Sequence, residues 1–113
     1  MYCDINGYLL LTAAPKVQSV QQTEQCGSAF CLSCVSTGSV ASFVDWMKNG
    51  ELLNTNGRNN VYSTIQLLKD STTSTYENML LVDSIVDIIL GEYLCVVSNT
   101  IGEDEGSLEL NGQ

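Results

Sequence analysis

Histidine is absent from this 113-residue chain. Without an imidazole, Ser–His and Cys–His nucleophile systems have no base, so catalysis built on them is excluded. Basic side chains are scarce: 4 Lys and Arg stand against 13 Asp and Glu, a net charge of −9. Such a balance repels nucleic acid and anionic lipid, so neither is expected as a partner. No stretch reaches the roughly 18 apolar residues of a membrane helix, so no direct membrane insertion is expected of this segment. The apolar run 8–14 lacks a basic start and is too short for a secretory leader. Met1 therefore reads as the start of a mature fragment or of a recombinant product. No Asn-x-Ser/Thr acceptor occurs, and no Gly-rich phosphate loop. Glu103-Asp104-Glu105 lacks the D-x-D-x-D-G spacing of a calcium loop. Neither a cofactor nor a metal is expected, and the chain does not read as an enzyme.

What remains is a chain for one core. Apolar residues make up 44%, with 9 Gly and a single Pro. Residues 14–113 suffice for one domain, and 1–13 read as an N-terminal extension or linker. No 3.6-residue period persists beyond a turn, whereas short alternating runs recur between turn signals. Period-two parity sorts the side chains. Phe30, Leu32 and Cys34 share one face, expected inward; Cys31, Ser33 and Val35 are expected outward. Val44 and Trp46 are expected inward, Phe43, Asp45 and Met47 outward. Asn49-Gly50 is a hairpin dipeptide. Val61–Leu67 reads as a strand. Leu80, Val82 and Ile85 are expected inward, as are Tyr93, Cys95 and Val97. Asn99–Gly106 reads as a hairpin loop before Leu108 and Leu110. The sum is an all-β sandwich of two antiparallel sheets.

Five cysteines in so short a chain favour an oxidising compartment. Being odd in number, they cannot all pair internally. Cys26-x4-Cys31-x2-Cys34 superficially suggests zinc, but four placed ligands are lacking. A disulfide that involves Cys3, Cys26 or Cys31 is a better reading than a metal; its pair is open, and an outward-facing Cys31 bridging to another chain is the alternative.

Cys34, Gly38, Trp46-Met47-Lys48-Asn49-Gly50, Leu80-x-Val82, Gly91-x-Tyr93-x-Cys95, Asn99-x-x-Gly102 and Ser107-Leu108-Glu109-Leu110 form one joint pattern. With Ala14-Pro15-Lys16 at its start, the pattern resembles the I-set branch of the immunoglobulin superfamily over about residues 14 to 110. The resemblance implies a Greek-key sandwich, a Cys34–Cys95 bridge under the Trp46 indole, and a tyrosine hydroxyl tying the corner before Cys95. One position departs: Ile89 stands where the family usually has an acid, two before the glycine, so Arg58 loses its usual partner.

The resemblance also implies a non-catalytic recognition or cell-adhesion module, extracellular or at the cell surface, and one of a tandem array. Alternatives are a structural spacer of an intracellular muscle or cytoskeletal protein, or a ligand-binding domain of a receptor-kinase ectodomain. The partner is expected to be a protein, with a second copy of this chain as one option. Phe43, Met47, Leu94 and Val96 form a candidate interface on one outer face. Candidate loop contacts are Asn99, Thr100, Ile101, Glu103 and Asp104, with Thr37–Ser42 as a second loop. Ile85–Leu90 is too apolar for an open corner, and Tyr8–Leu11 is expected to be a linker or an extra edge strand.

Overall fold

The computed structural model describes residues 2–5, 8–11, 13–23, 30–38, 43–53, 55, 61–69, 74–82 and 90–110, with backbone alone for 2–5, 8–11 and 69. Every element among them is a strand. One four-stranded sheet holds β3 (Lys16–Thr23), β4 (Phe30–Gly38), β8 (Ser74–Val82) and β7 (Val61–Lys69), in that order. The other holds β10 (Glu103–Leu110), β9 (Gly91–Ser98), β5 (Phe43–Lys48) and β6 (Glu51–Leu52). All pairings are antiparallel. The chain changes sheet after β4, β6 and β8, and this alternation makes the Greek key.

The core lies between the sheets where parity places it. Trp46, Leu32, Leu80 and Val97 are fully buried between them, with Cys34 and Cys95. Each large apolar side chain so buried contributes about 1.5–3 kcal/mol. Cys34 and Cys95 are bonded, with their Cα atoms 6.5 Å apart. Phe30 meets the Tyr93 ring at 6.0 Å between centroids, tilted by 44°.

Two expectations change. Cys31 and Ser33 stand on the outer side of β4 but are 0% and 8% exposed, and Val35 is half-buried. The cause is position: β4 is central, flanked by β3 and β8 along its length. Cys31 is moreover a half-cystine. Because Cys34 and Cys95 bond each other, its partner lies beyond the described side chains. The second change is at the N-terminus. Tyr8–Leu11 (β2) pairs with Tyr2–Ile5 (β1) as a separate two-stranded sheet, rather than adding an edge to the sandwich. The expected features at Arg58, Ile85–Ile89 and the corner before Gly91 lie outside the described residues.

β3 ties the two sheets together along one side. It pairs with β4, yet the Val17 N–H donates to Asp104 Oδ2 on β10 at 2.7 Å. A shift in pairing between Val17 and Ser19 lets the strand lean that way. Gly106 permits the approach: a Cβ there would meet Val17 Cγ1 at 2.7 Å and Val20 Cγ2 at 2.9 Å.

Candidate functional site

The register of β5, β9 and β6 assembles the outer face. Met47 lies opposite Leu94, Asp45 opposite Val96, and Phe43 opposite Ser98. Phe43 is 74% exposed, while Met47, Leu94 and Val96 are half-buried. The four expected interface residues therefore share one surface. Leu52, which sequence reasoning missed, joins them: it lies opposite Met47 on β6 and is 66% exposed. The signal was available. Asn49 and Gly50 have φ of 51° and 86°, as a two-residue primed turn requires. That turn puts Glu51 opposite Lys48 and Leu52 opposite Met47.

The turn is fastened to β9. Asn49 N–H donates to Glu92 O at 2.8 Å, and Asn49 Oδ1 accepts from Glu92 N–H at 3.0 Å. The apolar strip is thereby held on a rigid hairpin. Acids border it, with Glu103, Glu105 and Glu109 exposed along β10 and Glu92 on β9, and exposed Asp45 interrupts it between Phe43 and Met47, opposite Val96. Lys48, next along β5 from Met47, turns to the inner side opposite Tyr93; its Nζ lies 5.6 Å from the Tyr93 ring centroid, and burial pulls its pKa below the usual lysine value.

The candidate loop contacts divide. The loop is shorter than expected, because β10 begins at Glu103, paired with Ser98, and Asp104 pairs with Val97. Asn99 closes the turn from within. Its Oδ1 accepts from Ile101 N–H at 2.8 Å and Gly102 N–H at 3.1 Å, and its Nδ2 donates to Ala13 O at 3.0 Å. Asp104 is occupied by Val17, as above. Thr100 and Ile101 alone remain exposed at the tip, and Glu103 joins the sheet face instead. Of the loop Thr37–Ser42, residues 39–42 lie outside the described residues. Among the described residues no group of three or more Cys, Asp or Glu is placed to hold a metal ion, and no helix is long and apolar enough to cross a membrane.

The immunoglobulin I-set domain model matches residues 14–111. The chain belongs to the immunoglobulin I-set family. Solved structures agree on the fold. A titin Ig tandem pair superposes with a TM-score of 0.61 at 25% identity, over 87% of this chain and 46% of that one. The Ig7 domain of Dscam1 gives 0.57 at 17% identity, over 88% of this chain and 97% of that one. A chain of the complex between Dpr2 Ig1-Ig2 and DIP-Theta Ig1-Ig3 gives 0.58 at 19% identity, over 88% of this chain. This I-set domain spans 32% of that last chain. I-set domains are typically non-catalytic and work through protein–protein contact.

Proposed function

We propose that this I-set domain is an extracellular recognition module that docks a protein partner on the outer face of β10, β9, β5 and β6. The carrying observation is the set of apolar side chains Phe43, Met47, Leu94 and Val96, extended by Leu52, interrupted by Asp45 and bordered by the acids of β9 and β10. Exposed apolar patches with polar rims mark interaction surfaces on soluble domains. The rim selects the partner's chemistry: a matching apolar patch ringed by Lys or Arg, drawn in by a chain of net charge −9. The Dpr2–DIP-Theta complex, a contact between Ig proteins, supports the same mode of action for a chain of this fold.

Two bridges support placement outside the reducing cytosol, since Cys31 is a half-cystine in addition to the Cys34–Cys95 pair. The titin likeness favours a second reading, in which the domain is an intracellular spacer and its cysteines stay reduced. Leu94→Glu and Met47→Glu separate a working face from an idle one. Each places a charge at the centre of the strip without touching the core. Binding of cell-surface partners, captured with a tagged domain and measured by biolayer interferometry, falls at least about tenfold for either variant. Full binding by both variants, with unchanged unfolding curves, removes the face from consideration.

A further inference from the structure

β7 ends the β3–β4–β8–β7 sheet, and its only strand partner among the described residues is β8. Every second residue of β7 therefore turns its backbone N–H and C=O away from the sheet. Both sides of the strand are open as well. Residues 64–68 are all exposed, with Ile65 at 53%, Leu67 at 48% and Leu68 at 46%. Ile65 and Leu67 stand opposite Asn78 and Tyr76 on the inner side of the sheet, where described residues of the other sheet leave them uncovered. Natural edges of this kind are blunted by charge, proline or a bulge. Val61–Leu67 has no proline and no charged residue, and the shift in pairing comes only between Leu67 and Lys69.

We infer that β7 is a self-association edge, on which a second copy of this chain adds its own β7 antiparallel about a two-fold axis at Ile65. Charge decides for this occupant and this site. Residues 52–69 hold no Asp or Glu, although the chain carries 13, and they hold two of its four bases. Two copies meeting through the β10–β9–β5 face would oppose Glu103, Glu105 and Glu109 with their equivalents. Meeting at β7, they bring together Tyr62 to Leu68, which bears no charge. In that register Ile65 faces Ile65 and Leu67 faces Ser63, the free backbone groups pair, and an eight-stranded sheet results. Such isologous contacts are self-complementary by construction.

Sedimentation equilibrium over a range of concentrations, with any free thiol alkylated, is the test. The expected result is a monomer–dimer equilibrium that tightens as salt is added, because salt screens the repulsion of two bodies of −9 while the contact itself is uncharged. Ile65→Lys sets like charges opposite each other and weakens association at least about tenfold. Leu67→Lys does the same without the symmetry. Because both positions are exposed, the unfolding curves of the variants overlay the parent. Amide exchange in 61–69 slows with protein concentration in the parent and not in the variants. A monomer at every concentration and salt level overturns the proposal. So does a dimer that survives both lysines, or one that breaks with Leu94→Glu instead, which would move self-association to the other face. Loss of partner binding in Leu94→Glu leaves the β7 result unaffected, so the two surfaces stand or fall separately.

Discussion

Asn78 is an amide in the middle of the apolar layer, 6% exposed. Its Oδ1 accepts from Trp46 Nε1–H at 2.5 Å and from Ser63 Oγ–H at 3.1 Å. A buried indole N–H needs an acceptor, and Asn78 supplies one from the opposite sheet. Asn78→Ala orphans that donor and leaves a small void. It lowers stability by roughly 2–4 kcal/mol, read as a shift of the urea midpoint at constant slope. In Trp46→Phe the same change costs less, and a double-mutant cycle isolates the coupling. Equal costs in both backgrounds would deny the bond. Tyr93 makes a second residue-scale prediction. Burial pushes its pKa from 10.0 up to about 12. The fold therefore favours the neutral phenol. The resulting stability is intact below pH 10 and is lost as pH rises from there through about 12. Urea midpoints measured against pH fall in that window for the parent. Tyr93→Phe flattens the fall, and an equally steep decline in the variant would assign alkaline unfolding to other groups.

Elements were legible where parity had something to act on. β9 alternates Tyr93, Cys95 and Val97 inward with Leu94 and Val96 outward, and period two reads directly from such a strand. Parity does not report what neighbours cover, which is why Cys31 and Ser33 were expected in solvent. It also fails at strand ends. Glu103, Asp104 and Glu105 look like loop because acids and glycine surround them. Their pairing with Ser98, Val97 and Val96 is set by the tight turn that Asn99 closes. β6 is two residues long and carries no periodicity at all, so Leu52 escaped notice although the primed turn before it fixes its partner. β1 and β2 pair locally, and nothing in their composition distinguishes that hairpin from an added edge strand. The outer face itself was readable from sequence. What sequence withheld was its fourth strand and the commitment of Asn99 and Asp104 to holding backbone.

At the scale of the whole molecule, the decisive quantity is how many cysteines are bonded. Cys34–Cys95 closes a loop of 61 residues between the two sheets. Chain-entropy arguments give such a bridge roughly 4 kcal/mol. Domains of this size hold only about 5–15 kcal/mol in total, so the bridge is a large share of the margin. Cys31 is bonded too, and two bridges use four of the five cysteines. Protein recovered from its native source and alkylated under denaturing, non-reducing conditions therefore shows no more than one thiol by mass. Reduction then lowers the urea midpoint by an amount equivalent to roughly 4 kcal/mol or more. Both outcomes follow if the domain works in an oxidising compartment. Five thiols in the native source, with a fold as firm as the oxidised one, would instead favour the intracellular spacer, in which Cys34 and Cys95 merely pack beside Trp46.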